Sequence, residues 1–287
     1  MTSHAACTSY SRPLSLLTLA SSLWLTGCGG GADDIIKKLG EVTSCSAKDC
    51  KDSSSLRTED IRANYLITQD AGTVRVEASF SQSANQALVV SLNGNDHLSA
   101  NIASLSSALS DTDGLGTKYA ANLSDATPQP SVSVSFFRGN DAYVSSVSMP
   151  KQFTIVSPNE PIALGRSTGK LYVQLDVVSD AVISASTKMR CQRADASLFE
   201  ATAALISVYD ASAPGGAAYR IDTLDLDQAL NQASKALDAN LSLVRSCDLE
   251  LIWTLSQGGQ TSTAMSKNSS ISAQRSASHL LQYDARN

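Results

Sequence analysis

The sequence predicts a mainly all-β protein: two tandem β-sandwich domains behind a flexible tether, with one helix in the second domain. Three observations predict it. Successive short runs alternate apolar and polar residues with period two, clusters of turn-forming residues recur about every ten positions, and only one segment carries a helical repeat. Such spacing belongs to sandwiches or barrels rather than to a parallel α/β sheet.

Residues 1–27 hold Arg12 as their only Lys or Arg and no acid, followed by the apolar run from Pro13 to Gly27. A charged start leading into an apolar run is the pattern of a secretory signal. The run is shorter than the ~20 residues a membrane-spanning helix needs, and the glycines after Cys28 do not extend it. Its last residues, Leu25-Thr26-Gly27-Cys28, resemble the lipobox of bacterial lipoproteins. The resemblance implies cleavage before Cys28 and acylation of its thiol. Each buried methylene contributes about 0.8 kcal/mol, so two or more chains would anchor the protein stably. Gly29 in place of Asp implies, by the same resemblance, an outer-membrane destination. The expected partner is therefore the membrane itself, through the lipid.

Cysteine count fits that reading. With Cys7 removed and Cys28 lipidated, Cys45, Cys50, Cys191 and Cys247 remain, an even number suited to an oxidising compartment.

The chain has 22 Lys+Arg against 27 Asp+Glu, a net charge of −5, and lacks any basic cluster interleaved with aromatics. Nucleic acid is therefore not an expected partner. Hydrophobic content of 43% supports real cores, and charged content of 17% with abundant Ser and Thr suits an extracytoplasmic β protein.

Residues 28–57 are rich in Gly, Asp, Lys and Ser and are expected to form the tether. Cys45 and Cys50 are close enough within it to close a small ring, worth roughly 2 kcal/mol in chain entropy. The first sandwich is expected over 58–156. Val74, Val76, Ala78 and Phe80 share one strand face, and Ala87–Leu92 forms a second strand ended by the turn cluster Asn93–Asp96. Ser131–Phe136, Ala142–Val147 and Phe153–Val156 continue the pattern. Pro158 and Pro161 disfavour both helix and central strand, which sets the boundary to a second sandwich over 157–287.

In that second domain Leu171, Val173, Leu175 and Val177 alternate with polar neighbours, and Cys247, Leu249, Leu251, Trp253 and Leu255 share a face. Cys191 is the natural partner of Cys247. Their spacing resembles the disulfide between the two sheets of immunoglobulin domains, although the tryptophan follows the second cysteine here rather than the first. Leu226, Leu230, Ala233, Leu237 and Leu241 recur at helical spacing after Asp225 and Gln228, predicting a helix over 225–241.

Few residues suggest chemistry. Gly165-Arg-Ser-Thr-Gly-Lys170 lacks both the spacing and the following helix of a phosphate loop, so a hairpin turn is the better reading. Asp111 and Asp113 begin like a calcium loop but lack its later oxygen ligands and closing Glu, so neither a metal nor a cofactor is expected. Asp222, Asp225 and Asp227 suit a helix N-terminus. His97 and His279 are the only histidines after residue 27. Without a nucleophile elbow beside them, both read as loop or surface residues.

These readings converge on a non-catalytic lipoprotein of the bacterial envelope with a structural or partner-binding role. A carbohydrate or adhesion module would instead show clustered exposed aromatics, and an enzyme of unfamiliar type would show a cleft with converging ionisable groups.

Overall fold

The computed structural model describes residues 50–177, 182–237 and 242–287; Cys28, Cys45 and the expected signal lie outside them. In chain order the strands are β1 (Cys50–Asp52), β2 (Ile61–Asp70), β3 (Thr73–Gln82), β4 (Asn85–Ser91), β5 (His97–Ile102), β6 (Leu105–Ala108) and β7 (Ser110–Asp111). There follow β8 (Tyr119–Ser124), β9 (Ser131–Arg138), β10 (Asp141–Ser148), β11 (Ile155–Ser157), β12 (Ile162–Gly165) and β13 (Lys170–Leu175). The chain continues through β14 (Val182–Arg193), β15 (Leu198–Leu205), β16 (Val208–Asp210), β17 (Ala218–Asp222), helix α1 (Thr223–Leu237), β18 (Val244–Gly258) and β19 (Ser270–Asp284). The protein is thus mainly all-β, with one α-helix among the described residues.

One 11-stranded sheet runs β1-β4-β3-β2-β19-β18-β14-β15, with β12 beside β19, β8 beside β3 and β7 beside β8. Two four-stranded sheets, β10-β9-β5-β6 and β11-β13-β17-β16, complete the fold. The first packs Leu98, Val132, Val134 and Phe136 against Ile61, Tyr65, Ile67, Val76 and Phe80 of the large sheet. The second packs Leu171, Val173, Tyr219 and Ile221 against Met189, Leu249, Leu251 and Trp253, with Leu226 and Leu230 of α1 closing the end.

Strand β19 belongs to both cores. Its Ile271 and Ala273 enter the first core and its Leu281 and Tyr283 the second. All four occupy odd positions and therefore share one face of the strand. At 15 residues β19 extends about 50 Å, long enough to pair with β2 over Ser270–Gln274 and with β12 over Leu281–Asp284.

Several elements differ from the sequence expectation. Cys50–Asp52, assigned to the tether, is a strand paired in parallel with Val89–Ser91 of β4. Ser53 behind it is fully buried, its hydroxyl accepting the Asn93 N–H. Hydrogen bonds order this segment, where hydropathy shows only a polar stretch. The helix starts at Thr223, whose side chain takes the Gly169 N–H and donates to the Arg166 carbonyl. Its buried positions are Thr223, Leu226, Leu230 and Ser234, while Leu237 is exposed and Leu241 lies outside the described residues. Gly165–Lys170 is not a hairpin: a 3-10 turn over Arg166–Thr168 carries the chain from β12 in the large sheet to β13 in a small one.

Candidate functional site

Cys191 and Cys247 form a disulfide with Cα atoms 4.1 Å apart. They sit directly opposite one another on the neighbouring strands β14 and β18 of the same sheet. The analogy with a disulfide joining two sheets therefore fails here. The cross-link still closes a 56-residue separation, worth about 4 kcal/mol on the chain-entropy account. Cys50 is also disulfide-bonded, and its expected partner Cys45 lies outside the described residues.

Asp111 and Asp113 point their carboxylates into their own loop. Asp111 Oδ1 accepts the N–H groups of Asp113 and Gly114 at 3.1 and 3.0 Å, and Oδ2 accepts that of Gly116 at 2.9 Å. Asp113 Oδ1 accepts Leu115 N–H at 3.0 Å, while its Oδ2 accepts the Thr117 hydroxyl. The Thr117 hydrogen bond, foremost among these donors, holds the Asp113 carboxyl well below the usual carboxylate range. Among the described residues no third His, Cys, Asp or Glu joins the pair to make a metal-binding group.

His97 is exposed at the start of β5, stacked on Phe137 with centroids 4.7 Å apart, and its Nδ1 lies 3.0 Å from the Asn95 carbonyl. The neighbouring Asp96 turns away into a salt bridge with Arg138 at 2.6 Å and is only 5% exposed. A His-Asp catalytic pair is therefore not assembled. His279 is not a loop residue: it lies on β19 opposite Leu251, with a buried Nε2 that has no hydrogen-bond partner. Burial lowers its pKa below the ordinary imidazole value.

Asp222, Asp225 and Asp227 have separate roles. Asp222 pairs with Arg220 at 3.5 Å, and Asp225 lies in the first turn of α1. Asp227 receives Arg166 at 3.0 Å and the Tyr283 hydroxyl at 2.5 Å, tying the helix to the 3-10 turn and to β19. Tyr283 is held well above the usual phenol range, by burial first and by Asp227 second.

Depressions lie on the outer face of the large sheet, over β14, β18 and β19. Two neighbouring hollows of about 660 and 480 Å³ share Arg190, Asp248 and Gln282. Registers place Glu200, Arg190, Asp248 and Gln282 in one row across β15-β14-β18-β19, and Thr202, Lys188, Glu250 and Leu280 in the next. Both cations lie on β14, Arg190 between the acids Glu200 and Asp248 and Lys188 between Thr202 and the acid Glu250. Arg190 is 3.8 Å from Glu200 and Lys188 is 3.5 Å from Glu250. The face thus mixes both signs, three acids against two cations in these two rows, and forms no concentrated field of one sign. Sequence reasoning missed it because it depends on which strands become neighbours.

A mainly all-β protein with two cores on one shared sheet and an open outer face of mixed charge is the class these observations define. No protein-family model matches the sequence, and no curated protein matches it. Among solved structures the chain is similar to a chimeric titin Z1Z2 functionalised with an exogenous peptide from decorin, at 12% identity and a TM-score of 0.20. That likeness covers 81% of this chain and 96% of the other. Such a score establishes no common fold, and the all-β assignment rests on the strands themselves.

Proposed function

We propose that this protein is a non-catalytic lipoprotein of the bacterial envelope, held at the outer membrane through Cys28 and presenting its β-sheet surface to a partner. The observation that carries the reading is the lipobox Leu25-Thr26-Gly27-Cys28 at the end of an apolar run. The disulfide between Cys191 and Cys247 supports an oxidising compartment. Among the described residues no helix is long and apolar enough to cross a membrane. The partner-binding half of the reading is supported by the outer-face hollows. A sugar-stacking module is less well supported, since Tyr209 is the sole exposed aromatic among the described residues and packs edge-on against Tyr219.

Mass spectrometry of the protein extracted from membranes tests the anchor. The expected species begins at an acylated Cys28, and Cys28→Ser shifts the protein out of the membrane fraction. An unacylated chain that retains Met1 overturns the reading.

A further inference from the structure

Every sheet must end in edge strands, and proteins protect those edges by shortness, charge, proline or a covering segment. Most edges here are protected. β1, β11 and β16 are three residues long, while β6 and β12 are four. The eight-residue β10 is closed by reciprocal hydrogen bonds between Ser146 and Gln260 at 2.8 Å. β15 differs. It is eight residues long, pairs only with β14 among the described residues, contains neither Pro nor Lys, and has Glu200 as its single charge.

The backbone groups of β15 that face outward can be assigned. The short Cα separation of Cys191 and Cys247 marks a non-hydrogen-bonded pair between β14 and β18. Cys191 therefore turns its N–H and C=O toward β15, where it faces Phe199. The odd residues of β15 are bonded to β14, and Leu198, Glu200, Thr202 and Ala204 direct their N–H and C=O groups to the free edge. The side chains of these even residues, continued by Ile206, lie on the outer face and are exposed.

This series is self-complementary. Antiparallel pairing with a copy of itself about Thr202 sets Leu198 opposite Ile206, Glu200 opposite Ala204 and Thr202 opposite Thr202. Leu198 is 63% and Ile206 66% exposed, and the pairing covers both twice over. No like charges meet, because each Glu200 faces an alanine. α1 packs against β15 and is joined through Ser234 to Arg193, which lies over Phe199, while among the described residues no hydrogen bond outside the sheet takes the outward backbone groups of Leu198, Glu200, Thr202 and Ala204.

The geometry points to β15 as the site where a second copy of this chain adds, joining two large sheets into one across a two-fold axis at Thr202. The surface stands whether or not Cys28 is acylated, so this proposal and the anchor can fail separately.

Sedimentation velocity of the purified full chain across micromolar concentrations is expected to show a concentration-dependent doubling of mass. Thr202→Lys, which sets two ammonium groups face to face, is expected to stay at single-chain mass while keeping the parent's far-ultraviolet circular dichroism spectrum, and Thr202→Val to dimerise more tightly. With a short bis-maleimide, Thr202→Cys is expected to give a covalent dimer above the parent background, whereas Leu198→Cys, distant from its own copy, does not. A parent chain that remains at single-chain mass overturns the proposal. So does a Thr202→Lys chain that dimerises like the parent, or equal cross-linking at Leu198→Cys. A strand from a different protein at this edge, in place of a second copy, also overturns it.

Discussion

Arg138 shows how a single residue orders a segment with few apolar side chains. From the end of β9 its guanidinium donates to the Ser53 and Leu56 carbonyls at 2.8 Å each, and to the nearly buried carboxylate of Asp96. It joins the chain entering the fold to the turn before β5. Removing it would leave Asp96 buried without its counter-charge, a loss of about 3 kcal/mol for a pair with one partly exposed member. Arg138→Met is therefore expected to lower the denaturant midpoint with an unchanged m-value. Equal midpoints would show that water satisfies Asp96. His279 acts through pH. Because burial lowers its folded pKa, the unfolded chain binds the proton at higher pH than the folded one. Its contribution is complete above the ordinary imidazole value near 6.5 and is lost as pH falls toward the lower folded value. Melting temperature is expected to decline between roughly pH 7 and pH 5, and His279→Phe to flatten that decline. The lowered carboxylates, such as Asp113 and Asp284, lose their contribution only in more acid solution, which separates the two effects.

At the scale of elements, the closure of β10 depends on one glycine. A Cβ built at Gly259 would lie 2.2 Å from the Ser146 carbonyl oxygen and 2.6 Å from the Val147 Cβ. Gly259→Ala must push the 259–262 segment away from the β10 edge. The expected cost is about 1–3 kcal/mol, with faster hydrogen exchange at Ser146 and Gln260, whose amides bond across this contact. Unchanged exchange there would mean that the strands shift together. Legibility in the sequence divides along similar physical lines. Strands β3, β9 and β10 were legible because their inner faces alternate cleanly. β19 was missed because its inward positions between the cores are Arg275, Ala277 and His279. There Arg275 donates to the Pro150 carbonyl at 2.8 Å instead of entering either cluster. In β2 the alternation of Ile61, Ala63, Tyr65 and Ile67 is interrupted by Leu66 on the other face. The cysteine pairing was legible, but not its place within one sheet, because β18 returns beside β14 only after β15, β16, β17 and α1 have intervened.

For the whole molecule, the shared sheet decides whether two cores behave as two proteins. Independent sandwiches would melt separately, but here β19 contributes side chains to both clusters and pairs in register with β18 from Ser272 through Asp284. Unfolding either core strips partners from the same strand. One cooperative transition is therefore expected, with calorimetric and van't Hoff enthalpies equal. Trp253 provides a local probe, since it is fully buried in the second core and the other tryptophan, Trp24, belongs to the segment expected to be removed. Ile102 lies in the small sheet of the first core, and Ile102→Ala is expected to cost about 3 kcal/mol. For a chain of this size that lowers the melting temperature by roughly 6–12 °C. If the shared sheet couples the cores, the melting temperature read from Trp253 fluorescence in a chain lacking residues 1–27 falls by the same amount although Ile102 belongs to the other core. A Trp253 transition that stays in place while the far-ultraviolet signal splits in two would show that β19 joins the sandwiches without coupling them.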